Sequence, residues 1–194
     1  MAWIVLVALV IAVGYFIGLY NGLVTARNAY QNAFAQIDVQ LSRRYDLIPN
    51  LVETARAYMQ HERATLEAVI TARNSAVSGL QNAVASPANE AAIQQLASAD
   101  TQLGSALGRL LAVAEAYPEL KANQNMLQLN EELSSTENKV AFARQAYNDS
   151  VMFYNTRREV FPASMVAGWG SFLPAHLLPI ESIEKRAVPK VSFS

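Results

Sequence analysis

The chain has 194 residues, which is enough for one domain and a membrane anchor. Its formal net charge of -1 lacks the positive excess that marks nucleic-acid-binding proteins, so we expect no nucleic-acid partner. The absence of cysteine excludes disulfides, thiol catalysis and cysteine-ligated metals. Charged residues make up 16%, below the roughly 25% of an ordinary soluble domain, partly because the N-terminus is uncharged.

The N-terminal stretch 2–20 is apolar and contains neither charge nor proline. As a helix rising about 1.5 Å per residue it would be about 28 Å long, which matches the hydrocarbon core of a bilayer. A cleaved secretory signal would need a basic start, a shorter apolar core and small residues before the cleavage site. The stretch shows none of these three features, so we expect a transmembrane anchor over residues 1–20. Arg27 and the pair Arg43–Arg44 follow this span and no basic residue precedes it, which favours a cytoplasmic C-terminal domain and an external N-terminus.

Glycines at four-residue spacing, Gly14, Gly18 and Gly22, lie on one face of this predicted helix. Small residues spaced in this way let two membrane helices approach closely, so this face predicts self-association. Glycine is also common in membrane helices that do not associate in this way.

Residues 21–161 show apolar positions at steps of three and four, which predicts helices, and no long alternation that would predict a strand. We predict an all-α protein in which the transmembrane helix is followed by an up-and-down antiparallel four-helix bundle of long helices. The predicted helices are 21–45, 47–82, 87–116 and 118–160, and a proline-containing irregular tail follows over 162–194.

Proline and capping residues set these predicted boundaries. Ser86 before Pro87 is a good N-cap, and Pro118 restarts the chain after Tyr117. Near Pro49 the sequence allows either a break or a kink in one continuous helix. We favour the break because it gives four helices of comparable length.

In such a bundle the fourth helix returns to the membrane, so Arg157 and Arg158 are expected at the lipid surface. In the tail, Trp169 and Phe172 are candidates for contact with the membrane interface. The simpler alternative, which we favour because the prolines exclude a long amphipathic helix, is a coil that packs along the bundle and frays at its end.

A resemblance to a known family covers essentially the whole chain. The block over residues 35–53, AQIDVQLSRRYDLIPNLVE, resembles the signature of LemA proteins. Further positions similar to that family are Tyr20-Asn21, His61-Glu62, Tyr117 to Ala122, Thr136 to Asn138, Ala143-Arg144, Tyr147-Asn148, Tyr154-Asn155, Phe161-Pro162 and Val188 to Val191. The resemblance implies a bacterial inner-membrane protein with one N-terminal membrane helix and a cytoplasmic helical bundle. It implies no catalytic residues, and the association of some relatives with internal bacterial membranes favours a role in membrane organisation.

Two charged motifs were considered as sites. One motif is a charged turn formed by Arg43, Arg44 and Asp46. Its arginines either complement the dipole at a helix end, which we favour, or the turn is a docking point for a partner protein. His61-Glu62 does not form a metal site, because adjacent helical residues diverge and HExxH would require histidine where Thr65 stands. Tyr147-Asn148 and Tyr154-Asn155, seven residues apart, are expected to hydrogen-bond between helices and fix their register.

No nucleophile elbow, S-x-x-K arrangement or phosphate-binding loop is found, so we expect no enzyme, no cofactor and no metal. The leading hypothesis is a homo-oligomeric membrane scaffold that takes part in membrane organisation or remodelling. The alternative is a membrane-tethered adaptor that binds a signalling or quality-control protein.

Overall fold

The computed structural model describes residues 1–179, and every regular element in them is a helix. The expectations for the remainder of the tail, including Val188 to Val191, lie outside these residues. The six helices are α1 (Ala2–Arg56), α2 (Arg63–Ala85), α3 (Glu90–Ala114), α4 (Pro118–Lys121), α5 (Gln124–Glu159) and α6 (Ala163–Trp169).

Helix α1 runs through Pro49 without a break, so the predicted boundary near residue 46 is wrong. Proline has no backbone N–H, and the carbonyl of Tyr45 four residues earlier therefore loses its helical partner. Arg73 of α2 replaces that partner, because its Nε donates a hydrogen bond to the Tyr45 carbonyl at 3.1 Å. Its guanidinium also lies 3.7 Å from Asp46. A neighbouring helix thus satisfies the carbonyl that the proline leaves unpaired.

The first helix ends instead at Arg56, and the turn over 57–62 contains neither proline nor glycine. Met59 is fully buried in this turn, and Asn123 donates a hydrogen bond from Nδ2 to the hydroxyl of Tyr58 at 3.0 Å. Although α1 ends at Arg56 and not near residue 46, the helices still form pairs of matched length. The part of α1 beyond Tyr20 is as long as the 36-residue α5, and the 23 residues of α2 match the 25 of α3.

The helices pack mainly as α1 against α5 and α2 against α3, with a smaller contact between α1 and α2. Between α1 and α5 the core is aromatic: the ring centroids of Tyr30 and Tyr154 lie 5.0 Å apart, and those of Phe34 and Tyr147 lie 5.4 Å apart. Where α2 crosses α3 the contact is made by small residues, since a Cβ on Gly79 would lie 3.3 Å from the Cα of Leu96. The aromatic contacts join the start of the domain to the end of α5, which returns that end towards the apolar N-terminal stretch.

Helix starts differ from the predicted ones because of local capping. Asn89, and not Ser86, caps α3, since its side chain accepts a hydrogen bond from the Ala92 amide at 3.2 Å. Pro118 begins a helix as predicted, but α4 lasts only one turn before Asn123 caps α5. Three apolar residues of the last predicted helix that its helical periodicity places on the buried face are exposed: Leu127, Phe142 and Ala146.

Candidate functional site

The apolar part of α1 lies outside the packed domain. An 18-residue window near its N-terminus has a mean hydropathy of 2.6, and none of that window is buried. By length and composition this segment can cross a membrane. Leu23 is the first fully buried residue of the chain, so the helical domain begins within one turn of Tyr20. We call residues 2–20 the apolar span.

Helix α6 and the residues after it pack against the end of the apolar span. The ring of Trp169 contacts that of Phe16 edge to face, with centroids 5.6 Å apart. The ring of Phe172 meets Tyr20 in the same way at 5.4 Å and lies under the guanidinium of Arg27 at 5.1 Å. The C-terminal part of the domain therefore returns to the level at which α1 leaves the apolar span.

The predicted glycine face divides into two parts at this level. Gly22 lies against α5, where an added Cβ would collide with the guanidinium of Arg157. Gly14 and Gly18 have open space around the position of an added Cβ. Of the three glycines, only the two inside the apolar span face outward from a single copy of the chain.

The tail runs extended along α5, and two asparagines hold its backbone. Asn148 donates from Nδ2 to the carbonyl of Leu178 and accepts from its amide, both at 2.9 Å. Asn155 does the same for Ala175, at 2.8 and 3.0 Å. Each side-chain amide thus satisfies both polar groups of one tail residue. We call these two asparagines, with the tyrosines that precede them, the tail clasp.

The two tyrosine hydroxyls of the tail clasp donate hydrogen bonds to the same extended segment of the tail. The Tyr147 hydroxyl donates to the carbonyl of His176 at 2.8 Å, and the Tyr154 hydroxyl donates to that of Leu173 at 2.7 Å. Seven helical residues rise about 10.5 Å and three extended residues span about 9–10 Å, so the two repeats stay in step. Burial raises the pKa of both phenols above the ordinary value, which keeps these donors protonated.

The structure differs from the expectations for the Tyr-Asn pairs and for part of the tail. The Tyr-Asn pairs hydrogen-bond the backbone of the tail, and not a neighbouring helix. The predicted irregular tail is wrong for residues 163–169, which form α6. Residues 171–179 have no regular secondary structure and pack along the helices, as the favoured coil prediction states. Among the residues expected at the membrane, Phe172 is buried at 4% exposure, whereas Trp169 is 74% exposed. Arg157 is exposed, and Arg158 is partly covered and pairs with Glu159 at 2.9 Å.

Arg44, expected at a helix end or a docking point, lies in a buried charged cluster. Its Nη1 donates to Asp100 of α3 at 3.1 Å, and Arg144 of α5 pairs with the other carboxylate oxygen. Tyr45 donates its hydroxyl to the same carboxylate at 3.2 Å, and burial together with Asp100 raises the pKa of this phenol. Glu137 approaches Arg44 to 3.8 Å. One carboxylate therefore joins α1, α3 and α5, and we call this group the Asp100 cluster.

Both interpretations of the Arg43–Arg44 motif change as a result. Arg44 is only 7% exposed, so its charge does not face a docking partner, and α1 continues to Arg56, so the arginines do not lie at its C-terminal end. Arg43 and Asp46 are exposed, and partner docking at these two residues stays a prediction. Asp100 was not predicted as a site residue. A signal existed, because Asp100 lies between Leu96 and Leu103 on the apolar stripe of α3.

The side chains of His61 and Glu62 belong to neither the Asp100 cluster nor the tail clasp. His61 lies in an open cleft at the far end of the domain, lined also by Arg56, Arg63 and Glu67. Its neighbour Glu62 accepts a hydrogen bond from Tyr117 at 3.4 Å. Within residues 1–179 no three histidine, cysteine or acidic side chains lie close enough together to bind a metal ion.

Comparisons with known proteins identify a family and several similar sequences. The chain is 25% identical over 163 residues to the magnetosome protein MamQ of Magnetospirillum gryphiswaldense, an alignment that covers 76% of this chain and 60% of that relative. It is 26% identical, with the same coverage, to the magnetosome proteins MamQ 1 and MamQ 2 of Paramagnetospirillum magneticum. The chain thus spans about 60% of the length of these curated relatives. The sequence profile of the LemA family matches residues 33–193, and the protein therefore belongs to the LemA family.

Proposed function

We propose that this protein is a membrane-anchored scaffold that self-associates in the bilayer and takes part in organising or remodelling a bacterial membrane. The apolar span is single-pass in this proposal, with its short N-terminus outside the inner membrane and the helical domain in the cytoplasm. Arg27 directly after the span supports that orientation. The domain acts as an up-and-down bundle that presents surfaces and not as an enzyme.

The observation that carries the proposal is the open glycine pair on the apolar span, where no described residue lies within 4 Å of an added Cβ. Gly14 and Gly18 leave room for a second helix backbone, and the whole apolar window is exposed in a single copy. Because α1 continues without a break from this span to Arg56, the pairing of two spans also fixes how two domains stand next to each other.

The similarity to proteins named for the magnetosome supports a role in a bacterial membrane compartment. That support concerns the shared part of the chain, since the relatives are longer. Neither a bound cofactor nor a catalytic residue forms part of this proposal.

The test compares oligomeric state in lipid nanodiscs and mild detergent for the wild type and a Gly14→Leu/Gly18→Leu variant. We expect the wild type to form oligomers and the double variant to be monomeric, because two leucines would keep the helix backbones apart. Ala12→Leu, which adds bulk on the opposite face of the same helix, is the matched control and should leave the oligomer intact.

A wild-type protein that is monomeric in both environments would contradict the scaffold. Crosslinking in native membranes then addresses the adaptor alternative. Self-adducts support the scaffold, whereas one reproducible adduct with a different protein, lost on substitution of Arg43 or Asp46, supports an adaptor.

A further inference from the structure

Helix α6 is mostly apolar, and Ser164 is its one polar side chain. Its sequence, ASMVAGW, contains no charged residue, and only one side of the helix is covered by protein. Ala163, Val166 and Ala167 are buried on that side. On the other side Met165 and Trp169, four residues apart, are 68% and 74% exposed. A helix that is apolar on nearly all sides is stable only where both sides meet an apolar environment.

Two further large apolar side chains flank α6 in the chain. Phe161, before the helix, is 77% exposed, and Leu173, after it, is 69% exposed. With Met165 and Trp169 they form an apolar group of four, which we call the α6 patch. A monomeric soluble domain seldom presents so many large apolar groups together, and such patches mark contacts with membranes or proteins.

The contact between Trp169 and Phe16 identifies which partner the α6 patch meets. Phe16 lies four residues inside the apolar span, which corresponds to about 6 Å along the helix axis from Tyr20. A ring whose centroid is 5.6 Å from that of Phe16 lies within that distance of the depth of Phe16. Helices that lie in a membrane interface are buried by about 5–10 Å, which agrees with this position.

From this geometry we propose that α6 is a second membrane contact, a monotopic helix whose α6 patch inserts into the lipid interface next to the apolar span. Arg157, which is exposed two residues before the end of α5, is placed to meet lipid head groups. The domain is then fixed to the bilayer at two points, so that it cannot swing about the end of a single helix. This inference does not require self-association.

The chain offers a direct probe, because Trp3 and Trp169 are its only two tryptophans. In a Trp3→Phe variant of the full chain, reconstituted in nanodiscs, all tryptophan fluorescence comes from Trp169. Bromine placed near the lipid glycerol should quench this fluorescence by at least half, bromine near the end of the acyl chain should quench it less, and aqueous acrylamide should quench it weakly.

The matched control carries Trp3→Phe, Trp169→Phe and Phe142→Trp. Phe142 is 73% exposed on the middle of α5, well away from the apolar span, so a tryptophan there reports an equally exposed site in water. It should respond to acrylamide and not to either brominated lipid. Circular dichroism verifies that both variants keep their helix content.

The proposal is overturned if Trp169 behaves as this control does, with full acrylamide quenching and no lipid quenching. It is also overturned if deep bromine quenches Trp169 more strongly than shallow bromine, since α6 would then not be interfacial. The same measurement on Gly14→Leu/Gly18→Leu separates the two proposals, because loss of self-association should leave the Trp169 signal unchanged.

Discussion

The Asp100 cluster and the tail clasp are both polar networks inside a helical protein, but they have different chemistry. In the middle of the domain, Asp100 holds two guanidiniums and a phenol that come from α1 and α5. Towards the apolar span, neutral amides and phenols hold the backbone of an extended segment of the tail. Buried charges are costly to leave unpaired, whereas the partners of neutral groups can be replaced by water at lower cost. The cluster is therefore suited to fixing helices, and the clasp to holding a segment that can be released.

The largest expected effect is loss of the shared carboxylate in Asp100→Asn. Arg44 and Arg144 would stay buried without the negative charge that both require, and we expect a loss of about 3–5 kcal/mol in the free energy of unfolding. Asp46→Asn is the control, because Asp46 is exposed and its 3.7 Å contact with Arg73 should contribute less than about 1 kcal/mol. Urea denaturation of the detergent-solubilised chain provides the measurement. Equal losses for the two variants would contradict a structural role for the cluster.

An intermediate effect is expected where a guanidinium replaces the missing proline N–H. Arg73→Met leaves the Tyr45 carbonyl unsatisfied and should cost about 1–3 kcal/mol in the free energy of unfolding. In a Pro49→Ala background the restored N–H of residue 49 can bond that carbonyl, so the same substitution should cost much less.

A double-mutant cycle on Arg73 and Pro49 measures this coupling. Additive effects of the two substitutions would show that Arg73 does not compensate for Pro49. Arg43→Met, at an exposed position on the neighbouring turns of α1, controls for the loss of a surface charge.

Features that depend on nearby residues could be predicted from the sequence, whereas features that depend on another helix could not. Periodicity identified the helices and the apolar span, because a stripe such as Leu23, Tyr30 and Phe34 depends only on residues near in sequence. Pro49 misled because its compensation comes from Arg73, which lies in a different helix. The turn after Arg56 carries no proline or glycine and is formed by the burial of Met59.

The candidate sites show the same difference between properties set by residues near in sequence and contacts made by distant parts of the chain. Trp169 is exposed, so its contact with the membrane interface stays a prediction, whereas the burial of Phe172 depends on the Tyr20 ring and the Arg27 guanidinium of α1. Tyr147-Asn148 and Tyr154-Asn155 were recognised as a repeat on one face. Their partner could not be predicted, because the backbone of an extended tail has no side-chain pattern that marks it as a ligand. Asp100 was missed since its two arginines come from helices far away in sequence.

The smallest effect on global stability is expected from the tail clasp, and its signature is local. In Asn148→Ala/Asn155→Ala four hydrogen bonds are lost, but both asparagines are only partly buried, so water can replace their side chains and we expect only about 1–2 kcal/mol. The amides of Ala175 and Leu178, which donate to these asparagines, should exchange with solvent deuterium at least tenfold faster. Asn138→Ala, at an exposed position of the same helix, should change neither amide. If the two amides stayed protected in the double variant, packing of Phe172 and Leu178 would hold the tail, and the repeat of Tyr-Asn pairs would need another explanation.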